Sequence, residues 1–498
     1  MHRPENKALF DETKDAFKHS VVYGGGSVLR NAVALLLIPL YVTFLTEAEF
    51  GVLTLLEATA RLLVVILQMG MGSAYILAAM HEETTDRRTT VSTAFSFLTI
   101  SSLILIATLV LLRRPLAVVL LGKAKYQALL ALMLASVFFQ TLKTVPLAKL
   151  RVEKRSKLYS ILAALTAILL VLFCFVALAL LRKGLVGAVA ANTIAAVVAG
   201  ALCVATIRKD LLRRFSTACL NTMLKFGLPL VPAALAGTAL TVADRYFLQH
   251  YRTLDEVGLY ELGYRFGMVM GLAVAAVQMA WPPVMYAAAK RENAREFYAL
   301  FLTYFIFAMC LAGLGLVLFS PDIIHAIGWG EAARVVPWIV ASYVFWGIQA
   351  VTNVGVSLKK KTHHLAIVTV AAAGLNLLLN RLLIPAHGLT GAAAATLISY
   401  CVIGVGGAAV SLRLYPIRYE YGRLLKIAVV TLVLSLVIFP VSRLGSFAVG
   451  IGIKAICFLA FPVILYAVRF FRPDELEYVR HSLSLIASSR KGNVADND

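Results

Sequence analysis

Nine ionisable side chains stand inside long apolar stretches of this sequence: Arg30, Glu57, Arg61, Lys143, Asp244, Arg245, Glu261, Arg265 and Lys454. Charge is costly within a bilayer, so ionisable groups kept there usually face a wet interior and mark a ligand or ion path. Six of the nine are cations and three are anions. An arginine excess around a cavity suits a multiply anionic ligand. Guanidinium offers forked donors to phosphate oxygens and stays charged where water is scarce. The bland alternative for any one of them is snorkelling to an interface or pairing with a nearby carboxylate. Arg245, next to Asp244, and Lys454 are the residues to which that alternative applies most directly.

The elements that carry these charges are apolar runs. The 498 residues are 60% hydrophobic and 15% charged, which excludes both a soluble globular class and a disordered one. A membrane-crossing helix needs about 20 mostly apolar residues. On that measure the sequence predicts an all-α polytopic membrane protein with 14 transmembrane helices, the first at roughly 21–44 and the last at roughly 447–468. No soluble domain fits between them. The charged N-terminal stretch, with Lys7, Asp11, Glu12 and Lys14, lacks the pattern of a removable signal peptide. The six cysteines lie within or beside the spans, with the spacing of neither a zinc site nor a disulfide framework.

A net charge of +21 raises nucleic acid as a partner, but its distribution argues for topology instead. With the N-terminus in the cytoplasm, roughly 31 Lys and Arg fall on the inner side and about 10 on the outer, the positive-inside asymmetry. Both termini are therefore expected in the cytoplasm. The connection with Arg113, Arg114, Lys123 and Lys125 is the outer loop that breaks the rule.

The chain also repeats. Glu49-Phe50-Gly51-Val52-Leu53 matches Glu256-Val257-Gly258-Leu259-Tyr260 at a shift of 207 positions, and Gly184 to Ala188 matches Gly388 to Ala392 at 204. Two nearly equal offsets predict two six-helix units in one orientation, residues 1–215 and 216–415, followed by two extra helices and a tail in 416–498. Transporters built from paired repeats place their site between the halves near mid-membrane. The first span, with Gly24 to Gly26, Arg30, Asn31 and Pro39, reads either as a moving hinge or as close packing through small residues.

The 14 spans, the two repeat openings and the Ala243-Asp244-Arg245-Tyr246-Phe247-Leu248 ending of span 7 resemble polysaccharide repeat-unit flippases. These are the O-antigen-type members of the multidrug/oligosaccharidyl-lipid/polysaccharide exporter superfamily. The resemblance implies a V-shaped pair of six-helix lobes around a cationic cavity that alternates between membrane faces. The implied cargo is an undecaprenyl-pyrophosphate-linked oligosaccharide, moved from the cytoplasmic to the periplasmic leaflet of the bacterial inner membrane. A monomer is expected, with a polysaccharide polymerase and a chain-length regulator as associated proteins. By the same resemblance, Arg30, Arg61 and Arg265 fall on the helices that carry essential arginines in the lipid II flippase. Lys143, Arg245 and Asn31 complete the expected substrate-binding set. Asn31 stands where that relative has an aspartate, which argues against lipid II as cargo. The relative's sodium site implies Asp244, Asn376, Asn380 and Thr396 here, and Asn380 replaces a carboxylate. Glu57 and Glu261 join the expected ion-coupling group. Asp244 could instead bind a proton or simply pair with Arg245 near the outer end of its helix. No cofactor is expected beyond a coupling sodium or proton, and no metal beyond that sodium.

Two other classes fit less well. A drug exporter of the same superfamily has 12 spans and an apolar, acidic cavity. A membrane glycosyltransferase or polymerase needs carboxylates or histidines on a sizeable extramembrane loop, which this sequence lacks. The short His81-Glu82-Glu83 and His363-His364 turns read as solvated loops, and there is no phosphate-binding glycine loop followed by lysine for ATP.

Overall fold

A computed structural model of the chain describes residues 33, 35–81, 87–211, 214–441, 447–473 and 475. Every regular element among them is helical. In chain order the first seven are α1 (Ile38–Phe44), α2 (Glu47–Gln68), α3 (Met71–His81), α4 (Arg87–Leu111), α5 (Arg113–Leu121), α6 (Gln127–Leu142) and α7 (Thr144–Val152). Then come α8 (Ser156–Phe175), α9 (Gly184–Ile207), α10 (Thr217–Gly227), α11 (Val231–Tyr251), α12 (Leu254–Gly267) and α13 (Met270–Ala288). The last six are α14 (Ala294–Ala326), α15 (Val336–Thr352), α16 (Val354–Leu358), α17 (His363–Leu414), α18 (Tyr421–Val441) and α19 (Phe447–Ala467). Short 3-10 and π turns link some of them.

Eleven helical stretches among the described residues are long and apolar enough to cross a membrane, fewer than the fourteen predicted. Three causes are visible. The 52-residue α17 is two helices merged across a kink at Gly388 (φ 53°, ψ −128°). The predicted span 424–441 corresponds to α18 (Tyr421–Val441), which is not among the eleven. The predicted span 21–44 lies mostly outside the described residues. Large aliphatics such as Ile104, Ile168, Leu382 and Leu436 stand exposed, whereas Asp244, Arg245, Glu261 and Arg265 are buried. Helices satisfy their own backbone, so an apolar outside and a charged inside is the arrangement a bilayer stabilises.

Contacts divide the chain into two units. The first is Met1–Ala294 with Ser320–Pro416, and the second is Arg295–Phe319 with Ile417–Asp498. Within the first, the repeated motifs meet each other. Thr46 caps α2 in a capping box with Glu49, and Thr253 caps α12 by accepting from the Glu256 amide at 3.2 Å. The two helices cross at Gly51 and Gly258. A Cβ on Gly51 would lie 2.0 Å from the Leu254 carbonyl oxygen, and one on Gly258 would lie 2.1 Å from that of Glu47. Only glycine lets the two backbones approach so closely. Gly184 and Gly388 also repeat one another, with φ of +50° and +53°, each beside the corresponding glutamate, Glu49 or Glu256. Arg252 steadies the second break by donating to the Ile384 and Pro385 carbonyls at 3.3 and 2.8 Å.

In the second unit, α14 and α18 are tied to the chain after α19. Arg423 binds Glu420 at 3.0 Å and Glu475 at 2.8 Å, with its guanidinium over the Phe470 ring. Thr303 donates to Glu420 at 2.8 Å, and Lys426 holds the Val468 and Arg469 carbonyls at the end of α19. Lys454 is buried within α19.

Candidate functional site

The Gly51–Gly258 crossing places α2 and α12 so that their charged side chains interleave. Glu57 and Arg61 lie one turn apart on α2, and Glu261 and Arg265 one turn apart on α12. Arg265 donates from Nε to Glu261 at 2.7 Å and from Nη2 to Glu57 at 3.0 Å. The Glu57 oxygen that accepts this bond is also 3.8 Å from Arg61. From α11, Arg245 reaches the second Glu261 oxygen at 2.9 Å and Asp244 at 2.6 Å. Six residues thus form one ladder of alternating charge: Asp244, Arg245, Glu261, Arg265, Glu57, Arg61.

Aromatic rings enclose the ladder. The Arg245 guanidinium lies 4.2 Å from the Tyr264 ring centroid and 5.1 Å from that of Tyr260. Arg265 is flanked by Phe50 at 5.1 Å and Tyr41 at 5.7 Å. Such cation–π contacts strengthen where water is excluded. The Tyr260 hydroxyl donates to Asp244, and Thr396 from α17 approaches the same carboxylate oxygen at 3.5 Å. Tyr246 shares a 2.7 Å hydroxyl bond with Thr59, joining α11 to α2.

The outer end of the ladder opens on a cavity of about 380 Å³. Its charged lining is Glu57, Arg61, Lys143 and Arg265, with polar side chains such as Gln140 and Asn192 among aliphatic neighbours. Among the described residues, three cations against one carboxylate make its wall positive. Arg61 is the open guanidinium, with a side chain 46% exposed, whereas the Arg265 side chain is 5% exposed.

Of the expected substrate-binding residues, the structure therefore brings Arg61, Lys143 and Arg265 to one cavity. Arg245 is displaced from that set, because two carboxylates hold it inside the ladder and it does not line the cavity. Arg30 and Asn31 lie outside the described residues. Of the expected ion-coupling residues, Glu57 reaches the cavity, and Glu261 sits wholly within the ladder. Asp244 lies well inside α11 and not at its end. It accepts from the Arg245 backbone amide and guanidinium, from Tyr260 and from Thr396. Asn376 and Asn380 bond each other at 2.9 Å, leaving Asn376 Nδ2 and Asn380 Oδ1 buried without a hydrogen-bond partner. Among the described residues no hydrogen bond joins those asparagines to Asp244. Among the described residues no cluster of three or more His, Cys, Asp or Glu could hold a metal ion.

Sequence reasoning missed the aromatic enclosure. Phe50 and Tyr260 both lie in the repeated motif, and those positions were the available signal. The stacking of Tyr41 and Phe50 on Arg265 joins residues more than 200 positions apart, which no local pattern reveals.

Fold and site together define a multi-pass, all-helical membrane protein with a buried charge ladder beside a cationic cavity. The comparisons agree with that class. The fold is similar to "Lipid II flippase MurJ, inward closed conformation", at TM-score 0.71 and 16% identity over 93% of this chain and 100% of that one. It is also similar to an inward-facing multidrug resistance MATE family transporter of the MOP superfamily, at TM-score 0.62 and 17% identity over 79% and 94% of the two chains. A Vibrio cholerae MATE transporter matches at TM-score 0.57 and 17% identity, over 80% and 97%. No curated protein matches the sequence. Residues 16–289 match the polysaccharide biosynthesis protein family, and the chain belongs to that family.

Proposed function

We propose that this protein is a flippase for a lipid-linked oligosaccharide. Its cargo is an undecaprenyl-pyrophosphate-linked repeat unit, carried from the cytoplasmic to the periplasmic leaflet of a bacterial inner membrane by alternating access. The observation that carries this reading is the cavity wall, on which, among the described residues, Arg61, Arg265 and Lys143 face a single carboxylate. A diphosphate diester is a strong, doubly anionic acid, and guanidinium forks suit its oxygens. The aliphatic lining beside those cations gives the prenyl end an apolar wall. Membership in a polysaccharide biosynthesis family supports a glycan cargo, and the flippase and transporter folds it resembles support a translocation role.

The chain's own residues divide the work. Arg61 and Lys143 attract and hold the diphosphate, while the ladder keeps α2 and α12 in register around it. Coupling to an ion gradient is assigned to Asp244, since neutralising that carboxylate weakens its hold on Arg245 and so on the whole ladder. The test is transport of a fluorescent lipid-linked oligosaccharide in proteoliposomes. Arg61→Ala is expected to abolish movement while leaving the protein inserted and folded. Full transport by Arg61→Ala combined with Lys143→Ala would refute the cargo reading.

A further inference from the structure

Among the described residues Glu57 is the one acid on the cavity wall, and its position is unusual for a wall that is to receive an anion. A single carboxylate oxygen of Glu57 lies 3.0 Å from Arg265 and 3.8 Å from Arg61. It therefore bridges the two guanidiniums nearest the cavity. Arg265 has little freedom to meet a ligand in another way. Its Nε edge holds Glu261, and its neighbouring rings are Tyr41 and Phe50. The Nη2 corner is the part directed at Glu57.

We propose that Glu57 is an internal stand-in for the ligand, occupying the guanidinium positions that a diphosphate takes over when it binds. This rests on the lipid-diphosphate reading above. Binding is then an exchange: a phosphate oxygen replaces the Glu57 oxygen between Arg61 and Arg265, and the freed carboxylate turns into the wet cavity. The burial pattern fits such an exchange. The Glu57 side chain is 22% exposed and stands at the boundary, whereas Glu261 behind it is 3% exposed and fixed between two arginines. Asp244 and Glu261 already balance Arg245 and Arg265 in the inner ladder, so Glu57 chiefly neutralises Arg61. The exchange leaves that inner part intact. It also sets a threshold, because an anion must replace one charge-assisted hydrogen bond, to Arg265, and one longer ion pair, to Arg61, before it is held. A doubly charged headgroup meets that requirement more readily than a singly charged one. Glu57 is thus a specificity-determining residue, acting by occupying the site and not by touching the cargo.

The experiment uses the full chain in nanodiscs. The probes are a short-chain prenyl-diphospho-N-acetylglucosamine and the corresponding prenyl-monophospho sugar. Removing a unit charge a few ångströms from the bound phosphate is expected to tighten diphosphate binding to Glu57→Gln about tenfold or more. The monophosphate, weakly held by the parent protein, is expected to gain by a similar factor. Glu57→Asp keeps the charge but shortens its reach, and should fall between the two; it serves if Glu57→Gln folds poorly. The gain should shrink when Glu57→Gln is combined with Arg61→Ala. Diphosphate binding left unchanged or weakened by both Glu57 variants overturns this inference alone. Absence of diphosphate binding to the parent and to every variant overturns the cargo reading and this inference with it.

Discussion

The crossing of α2 and α12 offers a sharp test, because the whole ladder depends on two glycines. In Gly51→Ala the new methyl carbon would start 2.0 Å from the Leu254 carbonyl oxygen, where ordinary contact begins at 3.4 Å. The helices must part by about 1.4 Å, and the obstacle is backbone, which cannot rotate away. Overpacking of this kind costs about 1–3 kcal/mol. Glu57 lies less than two turns farther along α2, and its bond to Arg265 measures 3.0 Å. Carried that far, the separation breaks the bond and adds about 1.5–3 kcal/mol for a lost charged contact. Gly51→Ala should therefore melt well below the parent protein in detergent and flip poorly in proteoliposomes. Gly258→Ala, with 2.1 Å to the Glu47 oxygen, should behave alike. Gly237→Ala is the control, since its Cβ meets nothing within 4 Å, and an alanine in that helix should be neutral or slightly stabilising. Parent-like melting and transport in Gly51→Ala would sink the argument that this crossing holds the ladder together.

Three further outcomes follow from the same geometry. Glu261→Gln leaves Arg245 and Arg265 sharing too few carboxylates in a dry interior, so heating assays should show a loss of about 3–5 kcal/mol; a parent-like melt would mean that water reaches the ladder. Asp244→Asn should keep residual flipping but lose its dependence on an imposed sodium or pH gradient, and unchanged dependence in a stable protein would leave Asp244 as an Arg245 anchor only. In the second unit, partial burial works against the Glu475 carboxylate, yet the Arg472 amide, Arg423 and Tyr304 hold its pKa below the usual carboxylate value. Its stabilising effect is then complete above that usual value and fades as pH falls through the lowered one. Glu475→Gln should accordingly lower the melting temperature at neutral pH and converge with the parent in strong acid, and an equal deficit at both would refute the assignment.

The sequence alone determined the class of the protein and the helices on which its charges ride. Long apolar runs can only be helices in a bilayer, and the spacing of Glu57 to Arg61 and of Glu261 to Arg265 puts each pair on one helix face. The repeat was legible too, since Glu49 to Leu53 matches Glu256 to Tyr260, and Gly184 to Ala188 matches Gly388 to Ala392, at nearly one offset. What the sequence could not give was partnership. Arg245 stands next to Asp244 in the sequence, but that Glu261 shares it inside the ladder while Arg265 reaches the cavity is decided by packing. Asp244, Asn376 and Asn380 share a plausible ligand chemistry, but tertiary packing gave Asp244 to Arg245, Tyr260 and Thr396 and left the asparagines to each other. Charge is a property of a residue, whereas neutralisation depends on which helix crosses which. Here that choice rests on the absence of side chains at Gly51 and Gly258, which lets two distant segments approach until their charges interlock.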